Sequence, residues 1–437
     1  MNKDFYRLSF EAFRHGVRAA NPGKCLKEAI KEKPIPTPNG GKYIVISIGK
    51  AACSLMEAAI DILPPKREKQ LLVVTNYQNY KAIIGSEIIT AGHPIPDKNG
   101  LKASNRVIEM LKNATKNDTL IILISGGSSA LLPSPVKGLN LYDKIEINQL
   151  LLSSDLNICE TNLVRQSMST LKGGGFTKIA SPIPINSFIL SDVIGDDLRV
   201  IASGPTVSPI GSIKEAHELL IKNNLYSKLS LKLQEFFKSK KGRSVFRDNK
   251  LNKNILIGNN RKSVMAMAKS VNAEVIPYPI VGNVRTATQK IIDEIKIRRE
   301  MKYVALAFGG ETTVDVSGSG NGGRNQELAL RVAEKLFNQK LKGKWSFLSG
   351  GTDGQDGPTD AAGGIVNQST IKKLYDNNMS VKNLLNNNDS NTALKFTNEL
   401  LLSLIHISEP TRLLSIAYAV FGLEKKRGGG GGGGGGG

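Results

Sequence analysis

Apolar residues in this chain follow two rhythms. Phe5, Leu8, Phe13 and Val17 recur at near-helical spacing, which predicts an amphipathic helix over 4–20. After a proline- and glycine-rich linker at 34–41, short, mainly apolar runs appear at 43–48, 71–75, 119–124 and 186–190. Their length and their Ile, Val and Leu content read as buried strands of an open α/β sheet. Helical patterns follow the first run as far as Ile60 and fill 141–171 and 212–239. A weakly patterned basic stretch at 238–253 is the expected domain boundary. A new alternation starts at Ile255, with further strands near 274–279, 302–308 and 345–348 and a helical pattern from Leu328. The pattern therefore predicts two α/β domains, one over 1–250 and one over 251–402, as a chain of 437 residues requires.

Composition narrows the functional classes. The formal net charge is +21, which raises nucleic-acid binding as a reading. The basic residues are spread along the chain without an aromatic-rich motif; the nearest cluster is Lys238-Ser239-Lys240-Lys241-Gly242-Arg243. A Lys- and Asn-rich composition with a solvated surface explains that spread, and nucleic acid is not an expected partner. A positive field does favour an anionic substrate. No apolar run is long enough to span a membrane, and Met1–Arg7 lacks the apolar stretch of a signal peptide. Cys25, Cys53 and Cys159 are too scattered for a metal site or a disulfide framework, which fits a reducing cytoplasm.

The candidate chemistry sits where strands end. Gly49-Lys50-Ala51-Ala52 follows the first strand, and a cation there opposes the dipole of the next helix, which points to a functional lysine. Ser125-Gly126-Gly127-Ser128-Ser129 follows the third strand; its glycines and hydroxyls suit a phosphate or a small polyol. His93, in a two-proline turn, reads as structural or as a ligand contact. Asn162, Arg165 and Ser169 share one polar helical face. The run Ser191–Asp197 carries Asp192, Asp196 and Asp197, suggesting metal or general-base chemistry. Residues 309–327 combine a glycine-rich loop with the start of a helix, an arrangement whose backbone N–H groups favour phosphate, and Arg324 stands at that start. Residues 349–363 hold Asp353, Asp356 and Asp360 among glycines; without the glutamate of an EF-hand, the loop reads as Mg²⁺-associated or substrate-binding.

Gly318-Ser319-Gly320-Asn321-Gly322-Gly323 fits a dinucleotide fingerprint formally, but the polar Arg324-Asn325-Gln326-Glu327 follows where small helical residues are needed. There is no Walker loop, protein-kinase catalytic loop, Cys/His metal site or nucleophile elbow. Phosphoryl transfer by positioning and charge neutralisation is what remains.

Taken in order, these segments resemble the glycerate 2-kinase family, whose C-terminal part is the MOFRL domain. The resembling pieces are Gly49–Ala52, His93–Asp97, Ser125–Leu132, Leu171–Gly174, Ser191–Thr206, Gly310–Val314, Gly322–Glu327 and Thr352–Gly363. Ser128 stands where a third glycine is common and Gly175 where a longer polar residue is usual. The resemblance implies a larger Rossmann-like N-terminal domain, a smaller MOFRL-type domain and an active site in the cleft between them. It implies ATP- and Mg²⁺-dependent phosphorylation of D-glycerate at its 2-hydroxyl, giving 2-phosphoglycerate and ADP. Hydroxypyruvate reduction is the alternative, and an inactive truncated product a further one. On this reading Lys50, Arg324 and Asp192 are catalytic. Ser125, Gly126, Gly127, Ser128, Ser129 and Lys172 bind substrate or phosphate, Gly320, Gly322, Gly323, Glu311 and Asn325 bind the nucleotide, and Asp353 and Asp356 hold metal. The expected partners are D-glycerate and ATP, and a homodimer is compatible with the reading.

The C-terminus departs from the resemblance. The family's Gly-Pro-Thr-Gly-Thr-Asn segment and last strand have no counterpart; residues 403–427 resemble a translation of sequencing-adapter read-through, and 428–437 are all glycine. The expectation is therefore a foreign or disordered tail over 403–437.

Overall fold

The computed structural model describes residues 4–239, 249–298, 303–402 and 416–424. They divide into two compact units, one within 20–259 and one made of 4–19 with 260 onward.

Six strands form the sheet of the first unit: β1 (Tyr43–Ile48), β2 (Lys69–Asn76), β3 (Glu87–Ala91), β4 (Thr119–Ile124), β5 (Ile185–Leu190) and β6 (Lys253–Gly258). Every neighbouring pair is parallel, and the order across the sheet is β3-β2-β1-β4-β5-β6. β1, β4 and β5 are buried at every residue, as strands covered on both faces must be. Alternation sends Ile44, Ile46 and Ile48 into the core on one face and Tyr43 and Val45 into the core on the other. The strand order reverses between β1 and β4. At such a switch point the connections leaving the carboxyl ends diverge and open a crevice. The turns after Ile48 and Ile124 both leave from there.

The second unit carries a mixed sheet of β7 (Glu274–Val275), β8 (Ile280–Asn283), β9 (Tyr303–Thr313), β10 (Lys344–Gly351), β11 (Ala361–Asn367), β12 (Leu400–Leu402) and β13 (Ile416–Glu424). Its order is β12-β11-β10-β13-β9-β7, with β8 also on β9. Pairs from β12 to β9 are antiparallel, while β7 and β8 join β9 in parallel. β9 is one strand of eleven residues, so the apolar run near 302–308 continues through Thr313 before the glycine-rich loop begins.

Three expectations change. The units part at Asn259, not near 250, because β6 completes the first sheet. Asn252 Oδ1 accepts from Ile185 N–H at 2.8 Å, and Thr206 Oγ1 is 2.6 Å from Asn254 Oδ1, which ties this strand to the first unit. The first helix, Phe5–Ala19, forms as predicted but belongs to the second unit. Its buried stripe of Phe5, Ser9, Ala12, Phe13 and Gly16 lies on that sheet; Phe13 packs with Leu348, Ile365 and Leu401, and Ser9 Oγ is 3.2 Å from Ser346 Oγ. Finally, within the expected foreign or disordered tail, Ile416–Glu424 forms a strand seated between β10 and β9. Residues 403–415 and 425–437 of the predicted tail, and 240–248 of the predicted boundary with Lys240, Lys241 and Arg243, lie outside the described residues. Among the described residues no helix is long and apolar enough to cross a membrane.

Candidate active site

At the switch point the two turns are bonded together. Lys50 N–H donates to Gly126 O at 2.9 Å, and Ala51 N–H donates to Ser125 Oγ at 3.1 Å. Ser125 Oγ lies 3.2 Å from Ile48 O, and Ser128 Oγ donates to Ser125 O and Ile48 O at 2.6 and 3.0 Å. Both hydroxyls are buried. Ser125 and Ser128, expected to bind substrate, are buried beneath the turn with their hydroxyls bonded to its backbone, so they brace it from below.

The upper side of the turn gathers the chemistry. Gly127 has φ +85°, a left-handed conformation that glycine adopts without cost. A Cβ built there would stand 3.2 Å from Lys50 Cγ and 3.3 Å from His93 Nε2, so these two side chains flank it. A Cβ on Gly126 would stand 2.2 Å from Asp192 Oδ2, which places that carboxylate directly against the turn. Lys50, His93 and Asp192 therefore converge on Gly126-Gly127. Burial first, and then the charge of Lys50, push His93 down to about 4, so it is neutral near pH 7. The other two aspartates of the 191–197 run point to separate tasks. Asp196 accepts from Asn259 Nδ2 at 2.5 Å, and Asp197 pairs with Arg199 at 2.7 Å.

Beside this turn lies a cavity of about 230 Å³ reached by His93, Ser129, Lys144, Arg165 and Lys172. Lys172 Nζ donates to Ser129 O at 2.5 Å, and Ser129 Oγ is 2.8 Å from Ser203 Oγ, which is in turn 2.5 Å from Asn162 Oδ1. Ala202 and Ser203 hold positive φ of 53° and 60°, strain that the surrounding network must maintain. Ser129, Lys172 and the two glycines thus lie at or beside the same turn. Arg165, Asn162 and Ser203 were not assigned a role, although the polar helical face carrying Asn162 and Arg165 was visible.

In the second unit a cavity of about 640 Å³ is lined by Thr313, Gly320, Gly322, Gly323, Arg324 and Asp353, among others. Arg324 begins the helix Arg324–Asn338, and its Nη1 donates to Glu311 Oε1 at 2.8 Å and to Thr312 O at 3.4 Å. Arg324 and Glu311, predicted for separate roles, are therefore an ion pair at the cavity.

The glycine-rich loop itself departs from expectation. Its N–H groups turn toward an asparagine-rich segment: those of Ser317 and Gly318 donate to Asn388 Oδ1, that of Ser319 to Asn387 Oδ1, and that of Gly320 to Asn387 O, at 2.8–3.0 Å. A Cβ on Gly318 or Gly320 would stand 2.3 or 2.5 Å from Asn387 O, so these glycines serve close packing rather than a bare phosphate cradle. The start of the following helix is also occupied. Asp356, buried, accepts from Asn325 N–H and Nδ2 at 3.0 and 3.1 Å, and from Gln326 N–H and Nε2 at 2.9 and 3.1 Å. Burial pushes its carboxyl up, and the four donors oppose that rise. Asp356 is an internal helix cap, not an open metal ligand. Asn325, expected to bind nucleotide, is buried between Asp356 and Ser349 Oγ, the latter at 2.9 Å. No group of three or more potential metal-binding side chains occurs among the described residues.

Comparison with known proteins defines the class and then the family. The chain matches a family model described as a domain of unknown function, DUF4147, over residues 9–238, and the MOFRL family model over residues 304–409. It is 38% identical over 411 residues to the D-glycerate 2-kinase of Thermotoga maritima, covering 91% of this chain and 94% of that protein. It is 34% identical over 422 residues to a glycerate 2-kinase of Pyrococcus horikoshii, covering 92% and 94%. The crystal structure of glycerate kinase (EC 2.7.1.31) from Thermotoga maritima superposes with a TM-score of 0.84 at 34% identity, covering 96% of this chain and 99% of that one. The class is thus a two-unit α/β kinase. The chain belongs to the glycerate 2-kinase family.

Proposed function

We propose that this chain transfers the γ-phosphoryl group of ATP to the 2-hydroxyl of D-glycerate, giving 2-phosphoglycerate and ADP. The observation that carries the reading is the convergence of Lys50 and Asp192 on the Gly126-Gly127 turn at the sheet's switch point. It stands in a chain whose near-full-length relatives are named glycerate kinases. The 2-hydroxyl oxygen bonds to the γ-phosphorus, its proton passes to Asp192, and the bond to the bridging oxygen of the departing ADP breaks. Lys50 and Arg324 offset charge on the transferring group and its oxygens, which is most of what a loose phosphoryl-transfer transition state needs from a protein. Gly126, Gly127, Ser129 and Lys172 bind the acceptor. The 640 Å³ cavity bordered by Gly320, Gly322, Gly323 and Arg324 receives the nucleotide.

Mg²⁺ fits a reduced donor set. This ion commonly uses one or two carboxylates together with phosphate oxygens, so a dedicated cluster is not required. Asp353 and Asp356 both line the cavity; Asp356 is engaged by the helix start, and Asp353 would hold the ion. When bound, Mg²⁺ supplies charge neutralisation to the nucleotide phosphates.

The experiment is ADP release from ATP that depends on D-glycerate, with the phosphorylated carbon assigned by ³¹P–¹H correlation. Phosphate on carbon 2 is expected. Phosphate on carbon 3 would overturn the regiochemistry, and NADH oxidation with hydroxypyruvate, without ADP release, would replace the reaction altogether.

A further inference from the structure

The 230 Å³ cavity of the first unit has a charge balance that the catalytic turn does not explain. Three cationic side chains reach it, Lys144, Arg165 and Lys172, while no carboxylate lines it among the described residues. Lys144 and Lys172 are buried. The nearest carboxylate along the chain, Asp143, is taken by the Asn140 N–H and by Lys232 Nζ, both at 2.6 Å.

Arg165 is the telling residue. It lies on the helix Ile158–Ser167, and its Nη2 donates to Asn148 Oδ1 at 2.6 Å, which fixes the guanidinium plane. Its Nε is buried and has no hydrogen-bond partner. Burial alone pushes its pKa down, with no acidic neighbour to oppose the shift. In this half-buried guanidinium, a buried donor left idle is costly unless a ligand completes it. The planar fork suits a carboxylate, and the buried apolar walls of Pro133 and Ile147 strengthen that attraction by excluding water on their side. The cavity also reaches Gly127 and His93, the residues flanked by Lys50, so a short acid seated in it extends toward the catalytic turn.

We propose that this cavity is the carboxylate subsite for the acceptor, with Arg165 as the residue that selects a 2-hydroxy acid over a neutral polyol. Lys172 and Lys144 add field, and Asn148 orients the guanidinium. The inference rests on the proposed glycerate kinase reaction.

The test is steady-state kinetics of the full chain with D-glycerate varied at saturating ATP. Arg165→Gln raises the KM for glycerate roughly 10- to 100-fold, the loss expected for one charged hydrogen-bonded contact, while kcat changes far less and the KM for ATP holds. Arg165→Lys recovers part of the loss. Asn148→Asp keeps side-chain size but places a carboxylate 2.6 Å from the guanidinium, and it raises the glycerate KM by competing for the same cation. This second variant decides the matter if Arg165→Gln does not fold. An unchanged glycerate KM in folded Arg165→Gln or in Asn148→Asp overturns the assignment. Should the wild-type chain release no ADP with glycerate, the proposed reaction fails separately, and melting temperature then reads the subsite. Stabilisation by glycerate but not glycerol, abolished by Asn148→Asp, supports it; equal stabilisation by both compounds refutes it.

Discussion

Replacing Asp356 by asparagine separates a metal ligand from a helix cap. In the wild-type chain both carboxylate oxygens accept from the start of the helix Arg324–Asn338, four bonds of 2.9–3.1 Å in a buried setting. Asparagine keeps one oxygen and turns an NH₂ group toward two N–H donors. One pair of bonds is lost, and two donors are left facing a third. A charge-assisted bond contributes about 1.5–3 kcal/mol, and losing a cap costs about 0.5–2 kcal/mol. These contributions overlap, so a destabilisation of roughly 3–4 kcal/mol is expected. For a unit of this size that corresponds to a fall of roughly 6–16 °C in melting temperature. The assay pairs thermal denaturation with the Mg²⁺ dependence of turnover at a temperature where the variant stays folded. A lower melting temperature with an unchanged Mg²⁺ requirement is the expected pair of results. A melting temperature within about one degree of wild type, joined to a raised Mg²⁺ requirement, would refute the cap and restore the metal role.

Three further predictions follow from the same structure. His93 is held at about 4 against an ordinary value of 6.5, so the fold favours its neutral form. Its stabilisation is complete above pH 6.5 and is lost as pH falls from 6.5 toward 4, by about 1–2 kcal/mol after allowing for solvent screening; urea titrations of wild type and His93→Gln across that window should converge at the acid end, and parallel curves would count against the assignment. Arg324→Ala lowers kcat roughly 100-fold or more while the melting temperature barely moves, because its pair with Glu311 is partly exposed; near-normal turnover sinks the proposed role. A chain ending at Leu402 lacks β13 and leaves β9 and β10 with open facing edges, so it aggregates and melts earlier; a truncated protein that elutes as a single sharp species with an unchanged melting temperature disproves a structural role for that strand.

What the sequence disclosed depended on whether the signal was local. β1 and β4 were legible because six consecutive buried residues leave few other readings, and the turns after them followed from strand ends. Lys50 and Asp192 were nominated by the same logic, and they meet at one turn. The parallel order that makes this turn a switch point is a matter of pairing between distant segments, which no local pattern carries. The domain boundary was missed for the same reason: β6 belongs to the first sheet through its register with β5, while its neighbours in sequence are basic and unpatterned. The glycine-rich loop misled differently. Glycine marks a close approach without saying to what, and at Gly318 and Gly320 the approaching group is Asn387. Asp356 looked like a metal ligand because an aspartate among glycines has the same composition whether it faces an ion or a helix start. The strand Ile416–Glu424 carries this reasoning furthest. Its pairing with β9 and β10 is made by main-chain groups, which any extended segment of suitable length can supply. A tail unlike the family's own can therefore pair into the sheet, and whether it stabilises the sheet there is what truncation at Leu402 measures.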